Sequence, residues 1–196
     1  MILLERKLKQ ACSLSEQCIT ALVKSVNEVK LTDKEHFSRC GDSVKNLCFV
    51  KSGILRVYYL DENGQEWNKH FMQAGDFVAS SISPEKTAIT NIQALSDVEL
   101  IKIPYTKLIE LSSTYPEIDA FIQRLSFNYL SQKQDREISL LSKQAKHNYK
   151  EFRIAYPDLE NKISYYHIAS YLGITPVQLS RLRKESNLDS DQNPSA

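Results

Sequence analysis

Three textures of apolar and polar positions succeed one another along the chain. Residues 1–30 are rich in Leu, Val, Lys and Glu and lack Gly and Pro. They predict one or two amphipathic helices, with Ser13 or Ser15 as N-cap. The texture then changes. Leu47–Leu60 reads LCFVKSGILRVYYL, dense in β-branched and aromatic residues. Asp61-Glu62-Asn63-Gly64 follows as a hairpin turn, because Asn-Gly supplies the positive φ values that a tight turn needs. Gln65–Met72 predicts a second strand and Gly75-Asp76 another turn. Phe77–Ser81, Ala88–Leu95 and Val98–Ile103 predict further short strands. Short strands between turn signals predict an antiparallel barrel or jelly roll of roughly 100 residues.

After Pro104 the pattern becomes helical again. Tyr105–Ser113 predicts a short helix, and Pro116 opens a long one. Ile118, Phe121, Ile122, Leu125 and Tyr129 fall on one stripe of it, wide enough to pack against the strand domain and against a second copy. Ser131–Glu137 is polar all round; Ile138–Phe152 resumes the helix, and Tyr156-Pro157 ends it. Asp189–Ala196 is polar and small and predicts a disordered tail.

The segment Tyr165–Lys184, YYHIASYLGITPVQLSRLRK, has the spacing of a helix-turn-helix. Ala169 is small where two helices must approach. Gly173 sits four residues on, where the turn needs positive φ. Ile168, Leu172, Ile174, Leu179 and Leu182 supply the apolar face. Thr175-Pro176 starts the second helix, a hydroxyl N-cap followed by proline at the first helical position. Ser180, Arg181 and Lys184 remain on the outer face, with Arg183 nearby. These features predict a recognition helix for the major groove.

Charge narrows the class of partner. The formal net charge is only +1, which excludes a globally basic nucleic-acid coater. Asn161–Lys184, however, holds Lys162, Arg181, Arg183 and Lys184 and no acid. A basic patch on a neutral chain suits a site-specific DNA binder. No run approaches the roughly 18 apolar residues of a membrane span, and MILLERKLKQ reads as neither signal peptide nor anchor, so a cytoplasmic location and no membrane partner are expected. The four cysteines, Cys12, Cys18, Cys40 and Cys48, match no zinc-ribbon or CxxC spacing, and reduced thiols are expected rather than a metal site or cofactor.

These residues carry a resemblance. FVKSGILRVYY (Phe49–Tyr59) resembles the glycine-centred strand of the Crp/Fnr family of bacterial transcription regulators. DENGQE resembles the family's next hairpin, and QAGDF (Gln73–Phe77) its Gly-Asp/Glu-Phe corner. ISYYHIASYLGITPVQLSRLRK resembles its DNA-binding end. The resemblance spans roughly residues 10–185 and implies an α+β fold. Residues 1–115 would form N-terminal helices and a jelly-roll-like, cyclic-nucleotide-binding-like antiparallel β-roll. Residues 116–142 would form the dimerisation helix, 143–185 the helix-turn-helix and 186–196 a disordered tail.

The implied function is that of a homodimer reading double-stranded DNA at a near-palindromic operator, with half-sites about 34 Å apart. Gln178, Ser180 and Arg181 would face bases, Arg181 as a bidentate donor to guanine. Thr175 and Lys184 would face phosphates, although Lys184 is as well explained by solvation. RNA polymerase is a further partner that the resemblance admits.

Departures from the family matter as much. Cyclic-nucleotide members hold the ribose with a Gly-Glu pair and the cyclic phosphate with an arginine some ten residues on. Here Ala79 and Ser80 stand at the pair, Lys86 or Ala88 at the arginine, and no arginine occurs between Arg56 and Arg124. Lysine lacks the planar fork, so cyclic AMP binding in the usual way is not expected. Ser80, Ser81, Lys86 and Thr87 (with Ser83 and Thr90 nearby) outline a possible effector pocket for an unknown small molecule, or ordinary loop. Cysteine-cluster members group three early cysteines. If Cys12 and Cys18 share a helix, they point to opposite faces, against a shared iron–sulfur cluster. The scattered histidines His36, His70, His147 and His167 do not single out a haem ligand. Pro176 and Val177 replace the charged pair that begins the recognition helix in well-known members, and a polar tail replaces the usual wing. A small-molecule sensor acting through protein partners is the alternative. An enzyme on a cupin-like barrel is not expected, because His70 lacks a His-x-His neighbour and no nucleophile–base set is visible.

Overall fold

The computed structural model describes residues 1–81 and 86–191, apart from the side chains of residues 11–12 and 186–191. The described chain divides into two compact units. Residues 1–59 and 69–131 form the first; residues 60–68 and 132 onward form the second.

Two helices open the first unit, α1 (Ile2–Cys12) and α2 (Glu16–Val23). Ser15 is the N-cap of α2, its Oγ accepting the Cys18 amide at 3.2 Å. Ser13 instead closes α1 in the left-handed conformation, with φ 54°. Eight strands follow: β1 (Asn27–Leu31), β2 (His36–Ser38), β3 (Asn46–Ser52), β4 (Leu55–Leu60), β5 (Glu66–Met72), β6 (Phe77–Val78), β7 (Asn91–Ala94) and β8 (Val98–Pro104). They make two four-stranded sheets, ordered β1-β8-β3-β6 and β2-β7-β4-β5. The roll is therefore two sheets rather than a closed barrel. Cys48, Val50, Val78 and Leu100 from the first sheet share one core with Leu55, Val57, Ile92 and Ala94 from the second.

Several expectations need correction. The run Phe49–Tyr59 is not one strand, since Gly53, at φ 88°, breaks it into β3 and β4. The N-terminal helices end at Val23 rather than reaching residue 30, and Asn27–Leu31 forms β1, with β2 following in a stretch to which the sequence assigned no element. β1 lies along β8, and its charges find partners there: Lys30 Nζ lies 3.3 Å from Glu99, and Lys51 bridges Glu28 and Glu99 at 3.3 and 2.9 Å. β7 begins only at Asn91, because Ala88 is held in the loop by hydrogen bonds with Gly41 and Asp42.

α3 (Tyr105–Ser112) leads to α4 (Glu117–Ser142). The polar stretch 131–137 does not interrupt α4, because SQKQDRE contains no breaker and mostly good helix formers. The break falls instead after Ser142, where Gln144 turns extended and caps α5 (Ala145–Ala155). Ile118 and Phe121 are fully buried in the core that also holds Leu4, Leu8, Leu22, Phe49 and Leu108, with Ile122 and Leu125 packed at its edge. Of the expected stripe, Ile118 and Phe121 are thus consumed inside the chain, while Ile122, Leu125 and Tyr129 are half-buried. Phe127, Leu130, Ile138 and Leu141 are exposed instead. At ~100° per residue they fall, with Gln134, on the opposite side of α4.

The second unit packs α5, a 3-10 turn (Leu159–Asn161), α6 (Tyr165–Leu172) and α7 (Pro176–Asp191) around Tyr149, Phe152, Leu159, Ile168, Leu172 and Leu179. Arg136 of α4 lies 3.6 Å over the Tyr171 ring. The start of β5 docks on α6: the Asn68 amide donates to Ser170 Oγ at 3.0 Å, and Ser170 Oγ donates to the Glu66 carbonyl at 2.8 Å. α7 runs on through residues expected in the tail, for neither Gly nor Pro follows Pro176 before Pro194. Residues 192–196 of that tail lie outside the described residues, as does Ser83.

Candidate nucleic-acid interface

Local chemistry builds the α6–α7 corner. Ser164 starts α6, its Oγ accepting the Tyr166 amide at 3.3 Å. Gly173 ends it at φ 69°. The Gly173 amide donates to Ser170 O at 3.3 Å and the Ile174 amide to Ala169 O at 3.1 Å. That pair of bonds is a Schellman closure, which needs a left-handed residue where glycine stands. A Cβ at Gly173 would meet only Leu140 Cδ2, at 3.7 Å, so the backbone rather than space selects glycine.

Thr175 and Gln178 open α7 as a reciprocal capping box. The Gln178 amide donates to Thr175 Oγ1 at 3.2 Å. The Thr175 amide donates to Gln178 Oε1 at 2.8 Å, and Thr175 Oγ1 donates to the same oxygen at 3.1 Å. The Thr175 N-cap is the one the sequence predicts, and the T-x-x-Q spacing adds Gln178 as its reciprocal partner. The Thr175 hydroxyl and the Gln178 carbonyl oxygen are occupied by the cap.

Beyond the cap, α7 has two sides. Leu179 is fully buried, and Leu182 and Arg183 are half-buried. Val177, Ser180, Arg181 and Lys184 are exposed on the other side. Among the described residues, Arg181 and Lys184 have no side-chain hydrogen bond or ion pair. Arg183 differs: its Nε donates to Glu160 Oε1, and its guanidinium lies 3.9 Å over the Tyr165 ring. Val177 is 63% exposed on that outward side. The corner therefore presents one apolar contact, one hydroxyl and two cations, which can meet a base methyl, base edges and phosphates.

The effector residues are less convergent. Ser80 is buried and Ser81 half-buried, whereas Lys86 and Thr87 are exposed. Thr87 pairs with Ser43 across an isolated β-bridge. Arg56 is buried, its Nε and Nη2 both on Gln93 Oε1 and its guanidinium 3.9 Å over the Tyr58 ring.

Cys12 ends α1 and Cys18 lies in α2, so the two cysteines do not share a helix. Burial pushes the Cys18 thiol up to about 11, helped by the Glu117 carboxylate. Burial likewise pushes the Cys48 thiol to about 12, against the opposing pull of Lys102. Cys40 is exposed. Because the thiolate is the reactive form, iodoacetamide on the native protein at pH 8 is expected to alkylate Cys40 ahead of Cys18 and Cys48. Peptide mass mapping over time checks that order.

Known proteins can now be set beside this geometry. Residues 28–115 match the family described as the cyclic nucleotide-binding domain. The chain is 26% identical to Electron transport regulator A of Shewanella oneidensis, over 87% of this chain and 77% of that protein. It is 25% identical to the Fumarate and nitrate reduction regulatory protein of Yersinia pestis, with 88% and 78% covered. It is 27% identical to the Regulatory protein HlyX of Actinobacillus pleuropneumoniae, with 88% and 81% covered. In fold it is similar to FixK2 of Bradyrhizobium japonicum, with TM-score 0.76, 17% identity, and 84% and 86% of the two chains covered. A transcriptional regulator described as Crp/Fnr family, from Eubacterium rectale, superposes with TM-score 0.72 at 18% identity, covering 94% and 89%. With a two-sheet roll, a long helix and C-terminal helices in the same order, the chain has the fold of Crp/Fnr-type regulators and is similar in sequence to regulatory proteins over most of its length.

Proposed function

We propose that the protein is a homodimeric, sequence-specific regulator that reads double-stranded DNA through the outward side of α7. The observation that carries this reading is the division of α7. Its inward side is fixed by Leu179, Leu182 and Arg183, and its outward side leaves Arg181 and Lys184 exposed. Arg181 pairs with a guanine edge, and Lys184 meets a phosphate. Val177 packs on a thymine methyl and Ser180 reaches an adjacent edge. Thr175 and Gln178 shape the helix start, with the Gln178 amide nitrogen still open to a base. The outward apolar stripe of α4 supports dimerisation, since apolar positions at helical spacing on a surface favour a partner helix.

Cyclic AMP is not the signal in this reading. Residues 57–123 contain no arginine to grip a cyclic phosphate, and Arg56 is engaged by Gln93 and Tyr58. A cytoplasmic location goes with the reading; no described helix is long and apolar enough to cross a membrane.

Selection of sheared genomic DNA by the purified protein at near-physiological salt, followed by sequencing, tests the proposal. The expected result is a shared near-palindrome with half-site centres about 34 Å apart. Arg181→Ala should weaken each half-site by about 1–3 kcal/mol, roughly 5- to 150-fold, and relax preference at one guanine. Recovery of no common sequence, or an unchanged preference in Arg181→Ala, would overturn it.

A further inference from the structure

Arg183 stands among the basic residues at the end of the chain, yet its surroundings give it a different task. Its Nε donates to Glu160 Oε1, with Arg183 30% and Glu160 16% exposed. Its guanidinium lies over Tyr165, the first residue of α6. The same Glu160 oxygen accepts the Tyr149 hydroxyl at 2.7 Å, from α5. Arg153, also on α5, lies 4.0 Å from the other oxygen. One carboxylate thus joins α5, the 3-10 turn and α7, while Arg183 stacks on α6.

We propose that Glu160 and Arg183 are a positioning pair that sets the roll of α7, and that Arg183 is not a DNA contact. Resting on the DNA-binding reading, it deepens that reading. The helix geometry argues for it. Arg183 follows buried Leu179 by four residues and shares its face. It lies ~200° around the helix from Arg181, so the two cannot face the same groove. Leu179 and Leu182 bury apolar area without direction. A charge-assisted hydrogen bond on the same face is directional and fixes the rotation that aims Val177, Arg181 and Lys184. Tyr149, nine-tenths buried and more, donates as a neutral phenol, its ionisation pushed up to about 12 by burial and then by Glu160.

The sign of one substitution separates this from simple electrostatics. Glu160→Gln removes a negative charge from a surface that would meet phosphates, so charge alone demands tighter binding. Positioning demands weaker binding. The experiment titrates the full-length protein against a labelled duplex carrying the recovered operator, from 50 to 300 mM salt. Arg183→Gln and Glu160→Gln are each expected to weaken binding roughly tenfold with the salt slope unchanged. The double variant should be no weaker than either single one. Lys184→Gln serves as the phosphate control and should lower the slope by about 1.8, about 0.9 for each protomer of the dimer. A comparable slope loss in Arg183→Gln, or tighter binding by Glu160→Gln, would overturn the pair. Amide exchange of the DNA-free protein reads the same pair independently. α7 amides should exchange faster in either variant, with α6 unchanged, and equal protection in wild type and variants would overturn it. If the wild type recovers no operator, the DNA-binding reading falls and amide exchange decides the pair alone.

Discussion

Replacing Phe127 and Leu141 with glutamate is expected to give a folded monomer with operator affinity lowered at least roughly 100-fold. Phe127 is 68% and Leu141 82% exposed, with Leu130 and Ile138 between them at about half. Their spacings of three, four, four and three residues, counting Gln134, describe a seam rather than scattered surface apolar positions. The opposite side of α4 carries Ile118 and Phe121 and is already buried within the chain. The substitutions therefore leave the internal core intact, and glutamate is itself a good helix former. Two like charges brought together in a closing seam, in contrast, lose solvation without gaining a partner. Affinity falls because a second head held near the first acts at an effective concentration that a monomer lacks. Sedimentation equilibrium checks the mass, and a thermal melt checks that folding persists. A dimer surviving both charges would show that the seam lies elsewhere.

What could be read from the chain follows a physical divide. The α6–α7 corner was legible because turn chemistry is local: Gly173 for a left-handed residue and Thr175-Pro176 for a helix start each act within a few residues. Strand β1 was not, because it is a largely exposed edge whose charges make sense only beside Glu99 and Lys51. The role of Arg183 was hidden for the same reason. Its partner Glu160 lies 23 residues away, and a cation near other cations reads as a DNA contact until that partner is seen. α4 was half legible. Helical periodicity identified an apolar stripe, but two such stripes lie on opposite sides, and only the fold decides which one faces inward.

Gly53→Ala is expected to destabilise the first unit by about 3–5 kcal/mol, from the sum of crowding and left-handed backbone strain. The crowding is specific. A Cβ at Gly53 would stand 2.3 Å from the Asp97 carbonyl oxygen and 2.8 Å from both Cα and Cγ2 of Val98. Two of those three atoms are backbone at the start of β8, which pairs with β1 and β3 and cannot yield without disturbing both. Gly64 supplies the control, since it too has positive φ, 76°, but a Cβ there meets nothing within 4 Å. Gly64→Ala should therefore carry only the backbone strain, about 1–2 kcal/mol. The difference between the two variants in urea unfolding isolates the close approach of the β3–β4 turn to β8. A difference of at least about 2 kcal/mol is expected. Equal losses would mean that Gly53 is required for its backbone angle alone and that Asp97 and Val98 move aside.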